Sequence, residues 1–131
     1  YIQLNQDTLT AALISAQHTL GQILRDAGRW EEAIAIDLLA IEAEPHNDSQ
    51  VYVMGNTYFN AGQIEQAIRI YEKAIEVLPP NAFLHRTLGR IYDAEARLED
   101  ALAQYRKAAE LDPDAQFYKD LITSTEARLA R

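Results

Sequence analysis

Residues 48 to 81, DSQVYVMGNTYFNAGQIEQAIRIYEKAIEVLPPN, limit what this chain can fold into more than any other stretch, because their spacing of small, aromatic and apolar residues recurs on both sides at an offset of 34. At that offset Gly21, Gly55 and Gly89 superpose. So do Ala33, Ala67 and Ala101, then Ala40, Ala74 and Ala108, and finally Pro45, Pro79 and Pro113. A fixed period of this length marks a repeat array, in which no unit buries its apolar face alone and stacked neighbours share one core. Such a chain works by binding through a repeated surface, and the period leaves the identity of the partner open.

Within the unit, Val51, Met54, Tyr58 and Ala61 fall at helical intervals and define a first helix, A. Gly62 suits a left-handed turn. Ile64, Ala67, Ile68, Tyr71, Ala74, Ile75 and Leu78 then define a second helix, B, which Pro79 and Pro80 stop. Glycine inside a helix costs about 1 kcal/mol relative to alanine, yet one recurs in every helix A. The expectation is that Gly21, Gly55 and Gly89 each face the alanines of their own unit, so that the two backbones approach closely.

The pattern resembles the tetratricopeptide repeat family, whose aromatic, Leu-Gly, Tyr, Ala, aromatic, Ala and Pro positions are matched by Val51, Met54, Gly55, Tyr58, Ala67, Tyr71, Ala74 and Pro79. The third copy matches with Leu88, Gly89, Tyr92, Ala101, Tyr105, Ala108 and Pro113. The first keeps Leu20, Gly21, Ala33, Ala40 and Pro45 but has Leu24 and Asp37 where the others have Tyr. The resemblance implies an all-α fold, a right-handed α-solenoid of three helix-turn-helix repeats (14–47, 48–81 and 82–115) with an extension at 1–13 and a capping helix at 116–131. Turns of a few residues join the units, so one domain over 1–131 and seven helices are expected.

Composition narrows the function. With 48% hydrophobic residues the chain can fill a continuous core, and 12 Lys and Arg against 20 Asp and Glu give a net charge of −8. That balance argues against a general binder of nucleic acid or anionic membranes, both of which call for positive surface. No run approaches the about 20 apolar residues of a membrane helix, so no membrane insertion is expected from this segment. The lack of Cys removes disulfides, thiolate catalysis and Cys-ligated zinc without choosing a compartment. The first residue is Tyr1 rather than Met, and the expectation is a piece of a longer chain in which a signal, an anchor or further repeats can precede it.

Along the chain, Asp7 or Thr8 is expected to cap an elongated first helix over about 8–27, with Leu9, Leu13, Leu20 and Leu24 on one apolar stripe. The first helix B is expected over about 30–44, with Trp30 in the core. Asn47 or Asp48, Asn81 and Asp114 are the expected caps of the later A-type helices. In the last helix Phe117, Leu121 and Ile122 are expected to pack inward.

Little suggests chemistry. Glu31 with Glu32 and Glu99 with Asp100 sit in first turns of helices, where negative charge complements the dipole. His18, His46 and His85 are scattered one per repeat without the second ligand at i+4 that a metal site needs. The glycines follow the repeat, so no phosphate-cradling loop forms. No enzyme activity, cofactor or metal is expected.

The resemblance also gives the ligand an address, a concave groove lined by positions 2, 5, 9, 12 and 13 of each helix A. Here these hold Ser15, His18, Gln22, Arg25 and Asp26, then Ser49, Tyr52, Asn56, Phe59 and Asn60, then Phe83, Arg86, Arg90, Asp93 and Ala94. One reading is a solvated face that carries three arginines. The other is a groove in which Asn and Arg hold the backbone and carboxylates of an acidic peptide while Tyr52, Phe59 and Phe83 receive an apolar anchor. The family's clamp for a chaperone's C-terminal carboxylate is not matched, since His18 and Gln22 replace its first Lys and Asn, and Phe83 and Thr87 its later Lys and Arg.

A second surface competes. Ala35, Leu38 and Leu39 stand at outward positions that repeat two fills with Arg69, Glu72 and Lys73, an apolar patch of the kind that marks an interface. Either Tyr1, Ile2 and Leu4 fold back over it, or it meets another subunit or a further domain. The two functional readings are therefore an adaptor that binds a peptide or helix of another protein, and an assembly module that self-associates.

Overall fold

A computed structural model describes residues 5–44 and 48–131, with the backbone alone at Asp48. Among these residues every regular element is α-helical. The seven helices are α1 (Gln6–Asp26), α2 (Trp30–Ala43), α3 (Asp48–Asn60), α4 (Ile64–Val77), α5 (Ala82–Ala94), α6 (Leu98–Leu111) and α7 (Gln116–Leu129). They fall into two compact units, residues 1–67 and 68–131, with the boundary inside α4. In the first unit α2 packs against both α1 and α3; in the second α6 packs against both α5 and α7.

The turns between paired helices share one geometry. Gly28 and Gly62 take positive φ angles of 74° and 81°, and Ala96, one period further on, takes 58°. At each turn the next N–H reaches back five residues, Arg29 to Leu24, Gln63 to Tyr58 and Arg97 to Tyr92, at 2.8, 2.9 and 2.8 Å. This closes the helix end with a left-handed residue, which glycine takes freely and alanine only at a steric cost.

The helix starts correct several expectations. The first helix is capped by Asn5, whose side-chain Oδ1 accepts from the Thr8 amide at 2.7 Å, rather than by Asp7 or Thr8. Asn81 caps α5 as expected, accepting from the Phe83 amide at 2.8 Å. The last helix starts after Ala115 with no side-chain cap, so Asp114 does not serve. Asn47 lies outside the described residues.

The packing of the glycines also differs from expectation. A Cβ on Gly21 would meet Arg25 and Asp37, each at 3.2 Å, and one on Gly89 would meet the Tyr105 ring at 2.6 Å. In neither case is an alanine among the three nearest atoms. Ala33, Asp37 and Ala40 share one face of α2, as Ala101, Tyr105 and Ala108 share one of α6, and the glycine makes room for the large central side chain.

Two apolar stripes are re-aimed. Leu24 is buried, but Leu9, Leu13 and Leu20 are exposed, because the α1 stripe has two sides and only one meets the core. In α7 the inward residues are Tyr118 and Thr125 with half-buried Leu121 and Ile122, whereas Phe117 is exposed. Trp30 is half-buried.

Two buried tyrosines give the second unit an alkaline limit. Burial, with a hydrogen bond to Glu72 at 3.0 Å, pushes the Tyr92 phenol up from 10.0 to about 12. Burial and the neighbouring Asp93 carboxylate push Tyr105 up to about 12 as well. A phenol whose folded value is raised stabilises fully below its unfolded value near 10.0 and ceases to do so as pH rises through about 12. Unfolding followed by circular dichroism should show stability falling between these values, with a shallower fall in Tyr92→Phe.

Candidate functional site

In the first unit the A-helix positions do converge. His18, Gln22, Arg25, Asp37, Ser49, Gln50 and Val53 line a cleft of about 220 Å³. Its charges are satisfied from within. Arg25 Nη1 donates to both carboxylate oxygens of Asp37, at 2.9 and 3.1 Å, and the Thr57 hydroxyl donates to Asp37 Oδ2 at 3.0 Å. Asp37 is buried and the Arg25 side chain is only 15% exposed, so Arg25 serves the fold before any ligand. Gln22 accepts from Arg25 Nη2 at 3.3 Å and donates to Asp26 at 2.8 Å. His18 is exposed at the mouth of this cleft and of a wider hollow of about 530 Å³ that also holds Ser15, Asp7 and Glu44. On α3, Tyr52 and Phe59 are half-buried and Asn56 and Asn60 exposed.

In the second unit side chains of α5 and α7 meet. The Arg86 guanidinium carbon sits 4.9 Å from the centre of the Phe83 ring and 5.1 Å from that of Phe117. Such cation–π contacts contribute about 0.5–2 kcal/mol each, depending on desolvation, and two of them hold a long side chain in one place. The Arg86 Nε is buried and has no hydrogen-bond partner among the described residues. At the other end of the same face Asp93 accepts from Arg128 Nη1 at 2.6 Å and from the Tyr105 hydroxyl at 3.5 Å. Arg90 is exposed between these two pairs, one turn beyond Arg86. Thr87 donates to the Phe83 carbonyl at 2.8 Å.

The arrangement sorts the arginines expected to recognise acidic groups. Arg25 is neutralised by Asp37, and Asp93 is neutralised by Arg128, while Arg86 and Arg90 have no ion pair with a described residue. Phe117 and Arg128 joined the surface unexpectedly. The repeat offset carried a signal for Phe117, which stands one period after Phe83; nothing local pointed to the Asp93 to Arg128 pair. Among the described residues no group of three metal-ligating side chains occurs, and no helix is long and apolar enough to cross a membrane.

Paired helices with period-matched glycines, alanines and left-handed turns define a helical repeat protein of the interaction class. The chain belongs to the tetratricopeptide repeat family: one model of that family matches residues 48–114, just over half of it, and a second matches residues 13–43. Among solved structures, the first tetratricopeptide domain of Spaghetti (RPAP3) bound to the HSP90 peptide SRMEEVD is similar, with a TM-score of 0.72 at 19% identity over 90% of this chain and 94% of that one. The Sgt2 domain from Aspergillus fumigatus gives 0.71 at 20% identity, covering 89% and 79%. PcrH, a Pseudomonas aeruginosa protein, gives 0.65 at 19% in complex with the chaperone binding region of PopD, covering 97% and 92%. At these identities they show the fold. No curated protein matches the sequence. The chain is a non-enzymatic protein-interaction module.

Proposed function

We propose that the chain is an adaptor whose A-helix faces bind an extended peptide or helix carrying acidic groups. The observation that carries this is the Arg86 guanidinium held against Phe83 and Phe117, with Arg90, which has no ion pair among the described residues, one turn away, on a chain of net charge −8. A cation ordered before binding loses less freedom when a carboxylate arrives, and the exposed parts of the two rings offer an apolar seat beside it. Tyr52, Asn56, Phe59 and Asn60, with His18 and Gln22 at its cleft, make the corresponding A-helix face of the first unit. Peptide recognition by the Spaghetti domain and by PcrH supports the class of ligand and not its sequence.

The test is titration with a panel of synthetic peptides that combine several Asp or Glu with one apolar residue. Arg86→Ala with Arg90→Ala should weaken the best binder by about tenfold or more, and added salt should weaken the parent. Equal affinity in parent and double variant would move recognition off this face. A second reading, self-association through Ala35, Leu38 and Leu39, is favoured by the 46% and 48% exposure of the two leucines.

A further inference from the structure

In α3 the positions 50, 54 and 57 are buried, and so are Leu84, Leu88 and Ile91 at the same positions of α5. One period earlier, on α1, those positions hold Ala16, Leu20 and Ile23. There they are open: Leu20 is 44% and Ile23 58% exposed, and Ala16 is exposed too. The open stripe continues through Leu13 and Leu9, 59% and 53% exposed, and ends at Ala27.

The six residues Leu9, Leu13, Ala16, Leu20, Ile23 and Ala27 are 4, 3, 4, 3 and 4 positions apart. That is a heptad seam, the spacing with which one helix receives the side chains of another as knobs into holes. We infer that this seam closes on a second copy of itself, the two α1 helices lying antiparallel about a two-fold axis between Ala16 and Leu20. The spacing reads the same in both directions, so the reversed copy presents its side chains at matching heights. Leu9 then faces Ala27 of the second copy, Ala16 faces Leu20, and Leu13 faces Ile23. Large side chains meet small ones in the first two pairs, which fills the layers evenly. A parallel pair would set Ala16 on Ala16 and Ala27 on Ala27 and leave gaps there, with lost contacts around each.

Charge also admits a second copy here. Two chains of net charge −8 repel, so they can meet only over a neutral face. The positions flanking the seam include Thr10, Ala12, Gln17 and Thr19, and the one acid, Asp26, comes nearest Ala12 of the second copy. The seam is about 27 Å long at 1.5 Å per residue and about 10 Å wide, so about 300 Å² of strip on each copy, small beside the about 800 Å² per partner of stable complexes. The dimer is therefore weak, with a dissociation constant of about 10–100 µM.

Sedimentation equilibrium of the whole chain from about 1 µM to about 1 mM tests this. The parent should pass reversibly from monomer to dimer. Leu13→Glu with Ile23→Glu, both at exposed positions, should raise the dissociation constant at least about tenfold while leaving the helical circular dichroism unchanged. Leu38→Lys with Leu39→Glu should leave it as it was. The chain has no cysteine, so orientation can be read separately: mixed Leu9→Cys and Ala27→Cys chains should form a disulfide-linked pair on mild oxidation, while neither cross-links alone. A parent monomeric throughout, or a dimer lost only with the α2 changes, overturns the inference, and Leu9→Cys chains that link to themselves overturn the antiparallel pairing.

Discussion

Gly89→Leu should destabilise the chain by about 3 kcal/mol, and Gly89→Ala by about 1–2 kcal/mol, in urea unfolding. A Cβ at this position would stand 2.6 and 2.8 Å from two ring carbons of Tyr105 and 3.3 Å from Gln104 Cβ. The ring has nowhere to go, since Tyr105 is 1% exposed and its hydroxyl reaches Asp93. Either substitution returns up to about 1 kcal/mol of helix propensity, which offsets part of the clash; alanine costs less because it adds one methyl group where leucine adds three further carbons. Tyr105→Leu should remove most of the extra cost of Gly89→Ala, so the double variant is less destabilised than the sum of the two. An unfolding midpoint unchanged by Gly89→Leu would show that α5 and α6 do not meet here.

Asp37→Ala should cost about 2–4 kcal/mol, a large share of the about 5–15 kcal/mol that holds a typical domain together. The substitution strips Arg25 of both its bonds to the carboxylate and Thr57 of one of its two acceptors, leaving the Val53 carbonyl at 2.7 Å. Removing one member of a buried pair leaves the other as an uncompensated charge, at about 3–5 kcal/mol when burial is complete. Arg25 can still reach water through the cleft it lines, which sets the expectation lower. Replacing both residues, Arg25→Leu with Asp37→Leu, should recover most of the loss, because no charge is then stranded. A double variant as unstable as Asp37→Ala would mean that shape rather than charge is what this position requires.

The helix pairs were legible because Gly, Ala and Pro report backbone geometry directly, and three registered copies repeat the report. Ala96 was not, since alanine carries no sign of the positive φ it adopts there. The stripe on α1 was misread because helical periodicity gives spacing and no direction: a face against the core and a face without one both read as Leu every three or four residues. The candidate site was legible in part. Register alone put Phe83, Arg86 and Arg90 on one face. The fate of Arg25 was hidden because its partner is 12 residues away and looked like a mere departure from the repeat, and that of Asp93 because Arg128 is 35 residues away.

Arg25 and Asp37 occupy the same two places as Asp93 and Tyr105, two periods later, and in each case the two residues touch. One hairpin spends an ion pair where the other uses a phenol and a carboxylate, both beneath a glycine. The hairpins are consequently not interchangeable cassettes. Grafting residues 98–111 over 30–43 would bring a phenol against Arg25 with no acceptor for its proton and no counter-charge for the guanidinium, while a graft that also brings Asp at position 25 would keep the acceptor. A shuffled or consensus array built from this chain should therefore be cut between repeats, never between the two helices of one.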